Sequence, residues 1–324
     1  MKKILLFLFS ISLFACSNTQ KNRDVPVIGF LDAFEDATIA QAKEGFFASL
    51  KKNGFSEDQG TIKVLYRNAQ GDIPTLVQAC DYFISEKVDL IATNTTLSTI
   101  TTVQKTKDIP IFMMVSPSPA LAKLTDNKGA APKNLFGVYE TLEYIDTSVA
   151  LIKMVFPKVK KIGAIYNQSE PQSISALNHL KKQAEILNME IIALPANNSS
   201  ETQLVVQSLL NEKIDAFFAL PDNTVFASFE VLYKSCDNAK IPVFTSEAGL
   251  VKRGALAAFG ADMYQWGFQA GQQAAKFLKT KNTKGLKPEL VRVRKRVFNR
   301  AIAKKFSNAN KQHQKIQTDT TQNI

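Results

Sequence analysis

The chain has 324 residues, 45% of them hydrophobic, enough for two domains with separate cores. Its two histidines and three cysteines are too few for a metal site built on those ligands, and any Ser-His-Asp or Cys-His chemistry would have to use His179 or His313. The net charge of +11 is concentrated at one end: from Lys276 onward, 14 Lys and Arg stand against Glu289 and Asp319, and the rest sums to −1. A basic, solvated extension is expected there, with attraction to an anionic membrane surface or a transporter as the alternative, and nucleic-acid binding is not expected.

The N-terminus reads as an export signal. Lys2 and Lys3 precede a short apolar run, Ile4 to Phe14, which ends in Leu13-Phe14-Ala15-Cys16. That run is about half the length that spans a bilayer. A cut just before a cysteine resembles a bacterial lipoprotein signal, so residues 1–16 are expected to be signal and anchor, with Cys16 acylated. The chain would then be exported and held on a bacterial membrane, facing the periplasm or the outside. Residues 17–24 are polar, as a tether should be. Cys80 and Cys236 each fall within an apolar helical pattern and read as buried small hydrophobes.

From Val25, short β-rich runs alternate with longer amphipathic ones. A strand over Val25 to Leu31 leads into a helix with Ile39, Ala42, Phe46 and Leu50 on one face, stopped by Asn53-Gly54. A strand at Ile62 to Tyr66 precedes a helix burying Leu76, Cys80 and Phe83. A strand at Val88 to Thr93, a helix at Leu97 to Lys107 and a strand at Ile109 to Val115 follow. A break is expected near Phe136 to Thr141, and the rhythm then restarts. Strands are predicted near 161–166, 190–194, 214–220 and 241–245, with helices near 172–187, 201–211 and 225–236. A last helix, Met263 to Leu278, carries Trp266, Ala270 and Phe277 on one side, and Leu290 to Phe298 alternates like an edge strand.

Strict β-α alternation implies parallel sheets covered by helices, and two runs imply two lobes. The expected fold class is α/β, with two doubly wound parallel-sheet lobes joined by a hinge. The first lobe would take residues 25–137, with 263–280 packing back on it, and the second 138–262. Residues 281–306 would cross over, and 307–324 would be a disordered tail.

Ligands of open α/β sheets bind at the carboxyl ends of strands. The candidates at those ends are Asp32 and Phe34 after the first strand and Asn68, Gln70 and Asp72 after the second. Thr93, Asn94, Thr95 and Thr96 follow the third, and Ser116 the fourth. In the second run they are Asn167, Ser169, Glu170, Ser173, Asp222, Asn223, Ser246 and Glu247. No G-x-S-x-G elbow, Walker loop or G-x-G-x-x-G stands after a strand, and neither histidine lies at a strand end. Only carboxylate chemistry by Glu170, Asp222 and Glu247 is left to an enzyme reading, and no cofactor is expected.

Over about Val25 to Leu278 the chain resembles the substrate-binding proteins of ABC transporters, of the tryptophan- and tyrosine-type family. The resemblance is carried by Gly45-Phe46, Asn68-Ala69-Gln70-Gly71-Asp72, Asp89-Leu90-Ile91-Ala92-Thr93 and Ile109-Pro110-Ile111. In the second run it rests on Ile162 to Asn167 with Ser169-Glu170 and Ser173, on Pro221-Asp222-Asn223-Thr224 and on Gly254-Ala255-Leu256-Ala257. It implies the type I periplasmic-binding fold, a small solute in an interlobe cleft, and an ABC permease and ATPase as partners of a monomer. Phe34-Glu35-Asp36 and Ser116-Pro117-Ser118-Pro119 depart from the family's usual loops, so the ligand itself is not fixed.

An aromatic amino acid is the first expectation. Its carboxylate suits hydroxyl-bearing helix N-termini at Thr95, Thr96, Ser169 and Ser173. Asp222 would take its ammonium, and Phe34 and Tyr166 part of its ring. The same residues also read as N-caps, an Asx turn and ordinary core. A sugar or nucleoside binder, or a sensory module for a membrane receptor, is the alternative. Trp266, in a predicted packing helix, speaks mildly against a stacking platform.

Overall fold

The computed structural model describes residues 25–309. The anchor assigned to Cys16, the tether, His313 and the tail beyond 309 lie outside them.

The elements run β1 (Val27–Asp32), α1 (Ala37–Lys52), β2 (Lys63–Asn68), α2 (Ile73–Ser85), β3 (Leu90–Asn94), α3 (Thr96–Lys105), β4 (Ile111–Met114) and β5 (Leu135–Tyr139). They continue with α4 (Tyr144–Val155), β6 (Lys161–Tyr166), α5 (Pro171–Ile186), β7 (Glu190–Pro195), α6 (Thr202–Asn211) and β8 (Ala216–Ala219). Next come α7 (Asn223–Ala227), α8 (Phe229–Asn238), β9 (Val243–Thr245), α9 (Ala248–Lys252) and β10 (Ala257–Ala261). The last are α10 (Met263–Thr280), β11 (Glu289–Leu290), β12 (Arg294–Phe298) and α11 (Arg300–Ala309). They form two six-stranded sheets, β11-β5-β4-β3-β1-β2 and β12-β10-β9-β8-β6-β7. Every pairing is parallel except β10 with β12. The fold is α/β, two doubly wound lobes, each with its strand order reversing beside its first strand.

Local chemistry explains the elements. Asp36 caps α1 by accepting from the amides of Thr38 and Ile39 at 2.8 and 3.0 Å. The predicted stripe Ile39, Ala42, Phe46 and Leu50 is buried. Gly54, at φ +90°, lets the chain turn back where a side chain would strain it. Interior strands β1, β3, β4, β8, β9 and β10 are buried along their whole length, as strands covered on both faces must be, whereas edges β2 and β7 are partly exposed. Cys80 and Cys236 are buried and unpaired.

Helix α10 follows the second sheet's β10 but packs along α1 of the first lobe. Small residues make the crossing close: a Cβ on Gly267 would lie 1.8 Å from the Ala42 carbonyl, and one on Gly45 would lie 1.9 Å from that of Tyr264. The chain passes between the sheets at Glu140–Glu143, at Asp262 and at Val291–Val293, and these three strands of backbone form the hinge region.

Four expectations need correction. The alternating run Leu290 to Phe298 is not one edge strand: β11 joins the first sheet and β12 the second, with Val291 buried between them. The basic end is therefore not a solvated extension throughout, since Arg294 and Lys295 pair with Glu140 and Asp262. The helix expected over 225–236 breaks at Ser228, whose hydroxyl bonds the Thr224 carbonyl instead of continuing the helix. The helix α11 extends to Ala309, past the expected start of disorder.

Candidate functional site

The carboxyl ends of the two sheets face one another across a cleft. From the first lobe it is lined by Thr96, Val115, Ser116 and Pro117, and from the second by Gln172, Pro221, Asn223, Phe226 and Glu247. Glu140, Leu142 and Tyr144 from the first crossing, with Met263 and Trp266 from the start of α10, close its back. The lobes meet closely, leaving a cavity of about 40 Å³.

Backbone strain gathers at this place. Thr95, Val115 and Leu142 all have positive φ, at 85°, 49° and 71°. Two of them are β-branched, the residues that tolerate that region least. Such strain persists only where the surroundings enforce it, at a cost of roughly 1–3 kcal/mol per residue, and it marks functional loops.

Unpartnered polar atoms gather there too. Ser116 Oγ, Gln172 Oε1 and Glu247 Oε2 are buried in the lining without a hydrogen-bond partner, as is Thr95 Oγ1 at the N-terminus of α3. Buried polar groups are normally satisfied, so three in the lining of one cavity, with Thr95 next in sequence to the lining residue Thr96, are open hydrogen-bonding positions for a solute. Beside them Leu142, Phe226, Met263 and Trp266 supply an apolar wall.

The carboxylates differ in how far they are committed. Glu140 holds Arg294 through both oxygens, at 2.6 and 2.8 Å. Glu170 accepts from the Asn223 backbone and side chain at 3.1 and 3.0 Å and also from Gln172 Nε2, which leaves Gln172 Oε1 bare. Asp222 caps α7 through Val225 N at 3.0 Å and takes Asn167 N at 2.7 Å. Burial raises the pKa of both Glu170 and Asp222, and in Glu170 the neighbouring Asp222 charge adds to it. Glu247 accepts from the Tyr144 hydroxyl at 2.9 Å on one oxygen only. Complete burial pushes its pKa to about 8, with the Glu140 charge assisting.

Of the predicted site residues, Thr96, Ser116, Asn223 and Glu247 line the cavity. Thr93, Asn94 and Thr95 sit at the end of β3 and the start of α3. There the Thr93 hydroxyl bonds that of Thr99, and Asn94 Nδ2 donates to Asp32 at 2.7 Å. Asp32 in turn pairs with Lys43 at 3.4 Å. Asn167, Glu170, Ser173 and Asp222 form a buried hydrogen-bonded layer beneath the second lobe's wall, and Ser246 lies next to Glu247.

Others stand apart. Asn68 makes an Asx turn with the Gln70 amide, Asp72 caps α2 through Thr75, and Ser169 is exposed with its amide held by Asn167. Phe34 packs over Gly71 on the first lobe's core, and Tyr166 on the second lobe's. Asp222 is not among the lining residues, and its two oxygens accept from the amides of Val225 and Asn167. Trp266, expected only to pack, forms cavity wall while donating Nε1–H to the Val138 carbonyl at 2.8 Å. Glu140, Leu142, Tyr144, Gln172, Phe226 and Met263 were missed. Gln172 adjoins a chosen residue, and Phe226 and Met263 stand at the starts of predicted helices; Glu140, Leu142 and Tyr144 lie at the crossing between β5 and α4, which no periodicity marks.

Among the described residues no group of His, Cys, Asp or Glu could hold a metal ion, and no helix is long and apolar enough to cross a membrane. A second hollow, about 470 Å³, lies on the outer face of the first lobe between α1 and β2, but none of the unpartnered buried atoms lines it.

Two doubly wound lobes closing strand ends on a polar-and-apolar cavity define a hinged solute-binding protein of the type I periplasmic-binding fold. The family model described as "ABC transporter substrate binding protein" matches residues 25–314, and the chain belongs to that family. It is 35% identical over 266 residues to a tyrosine-binding protein of Clostridioides difficile, covering 82% of this chain and 75% of that one. Two solved structures each cover 87% of this chain and 95% of their own. One is an ABC domain from Streptococcus pneumonia in complex with L-Trp, at 25% identity and a TM-score of 0.80. The other is a ligand-free, open substrate-binding protein with adhesive properties from Clostridium difficile, at 30% identity and a TM-score of 0.65.

Proposed function

We propose that this chain binds an aromatic α-amino acid in the interlobe cleft and presents it to an ABC permease and its ATPase, with no bond made or broken. The observation that carries the reading is the set of three unpartnered polar atoms in the lining, Ser116 Oγ from the first lobe and Gln172 Oε1 and Glu247 Oε2 from the second, beside an apolar wall. The solute's carboxylate is assigned to the hydroxyls of Thr95 and Ser116 and the free amides of the first turn of α3, where the helix dipole favours an anion. The ammonium is assigned to Glu247 Oε2 and Gln172 Oε1. The ring is assigned to Trp266, Phe226, Met263 and Leu142, with Tyr144 at its edge.

The tyrosine-binding relative and the complex with L-Trp are both named for aromatic amino acids, and this supports the assignment. The lobe arrangement follows the L-Trp complex more closely than the open structure, although the open one is the more similar in sequence. That is the expectation for a closed state in which solute bridges both lobes. Acylation at Cys16, tethering through residues 17–24 and action as a monomer complete the proposal. Hinge motion is assigned to the three crossings, between a first lobe of 25–137 with 263–280 and a second of 138–262.

Mass spectrometry of small molecules released by denaturing the purified protein tests this reading. A stoichiometric aromatic amino acid is expected. A released sugar or nucleoside, which has no ammonium for Glu247, would sink the amino-acid assignment.

A further inference from the structure

The edge of the first sheet opposite the cleft carries a concentration of lysine that solute binding does not use. Because the sheet is parallel, the loops entering β11, β5 and β4 lie side by side at that edge. The last turn of α10 contributes Lys279, and the loop before β11 contributes Lys281, Lys284 and Lys287, with no acidic residue from Thr280 to Pro288. Lys133 and Lys107 add to it from the neighbouring loops, and all six are exposed. Against them stand Glu86, Asp89, Asp108, Asp126 and Glu289, the last paired with Arg292 at 2.6 Å. Asp89 is already paired with Lys281 at 2.9 Å, and Asp126 caps its own loop by accepting from the amides of Lys128 and Ala130.

The chain also enters the fold at this edge. The amide of Val27, the first residue of β1, donates to Asp89 at 2.8 Å, so the entry point lies beside the Lys281 pair. Ten residues, 17–26, separate Val27 from Cys16. At most about 3.5 Å per residue, they reach less than about 40 Å. An acylated Cys16 would therefore let this lysine-rich edge approach the lipid headgroups to within the roughly 10 Å over which membrane charge attracts it.

We infer that the lysine-rich edge of the first lobe docks electrostatically on an anionic lipid surface, setting the orientation of the tethered protein. This rests on the lipid-anchor reading above. Tether length and charge complementarity both select the membrane as the occupant. Docking at the edge opposite the strand ends keeps the cleft mouth clear of the bilayer.

Full-length protein reconstituted into vesicles provides the test. Lysine amines are labelled with an amine-reactive ester on phosphatidylcholine alone and on phosphatidylcholine mixed with phosphatidylglycerol. Lys133, Lys284 and Lys287 are expected to label several-fold more slowly on the anionic vesicles. Lys181 and Lys182, on α5 of the second lobe, are expected not to change, and high salt is expected to remove the difference. K284E/K287E, which alters neither a described ion pair nor the cleft, is expected to restore fast labelling of Lys133. Equal labelling on both vesicle types, or protection that survives salt or charge reversal, overturns the inference. The mass of the N-terminal peptide reports acylation separately, and amino-acid titration of the same preparation reports the cleft, so failure of either reading is distinguished from failure of docking.

Discussion

Arg253 of the second lobe and Asp36 of the first are joined across the mouth of the cleft by an ion pair of 2.5 Å. The same guanidinium reaches the Thr38 hydroxyl at 3.2 Å, also on the first lobe, and is held from its own side by Glu230 and the Phe226 carbonyl. Asp36 is simultaneously the cap of α1, so one carboxylate both starts a helix and latches the lobes. Parting the lobes must break the pair. Arg253→Met is expected to weaken solute binding by about tenfold, mainly through faster dissociation. Stopped-flow fluorescence checks it; an unchanged dissociation rate would remove the latch from the account.

The same contact gives a steric test. A Cβ on Gly249 would lie 2.2 Å from Thr38 Cγ2 across the lobe interface. Gly249→Ala is expected to wedge the lobes apart while leaving both cores intact. Small-angle scattering with saturating solute should then show a larger radius of gyration than wild type. A variant that still compacts fully would show that α1 and α9 do not approach this closely.

Glu247 sets a pH dependence. Its pKa is raised from an ordinary 4.5 to about 8 by burial, so at neutral pH the solute-free carboxyl holds a proton that the unfolded chain does not. The stability this contributes is complete below about pH 4.5 and is lost as the pH rises through about 8. An arriving ammonium favours the carboxylate, so binding should release a proton and tighten between about pH 6 and about pH 8. Calorimetry in buffers of different ionisation enthalpy measures that proton, and Glu247→Gln should abolish it.

Ser116 separates binding from stability. Its buried hydroxyl has no partner within the protein, so removing it deletes no internal bond. Ser116→Ala should leave Tm unchanged or slightly higher, and cost roughly 1 kcal/mol of affinity, about fivefold in Kd. Gly267→Ala should do the reverse: its Cβ would meet the Ala42 carbonyl at 1.8 Å, so overpacking of about 1–3 kcal/mol is expected to lower Tm, with Kd nearly unchanged.

Much of this architecture was legible in the residues, for identifiable reasons. The stripe Ile39-Ala42-Phe46-Leu50 has a helical period, and Lys161–Tyr166 is a short apolar run between turn signals, so α1 and β6 could be read directly. The cleft was harder because much of it is built where periodicity stops. Leu142 and Tyr144 follow a strand that reads as a break, and Glu140 became visible only once Arg294 folded back to meet it. Asp222 and Glu247 look alike in sequence, each an acid after a strand. Only the packing shows that Asp222 spends its oxygens on backbone amides while Glu247 keeps one free.

The central claim is tested most directly by calorimetric titration of the ligand-stripped protein with L-tyrosine and L-tryptophan, set against a pentose, a hexose and a nucleoside. The account predicts micromolar or tighter binding of an aromatic amino acid, lost in Glu247→Gln. Binding of a sugar or nucleoside with no response to either amino acid would contradict it.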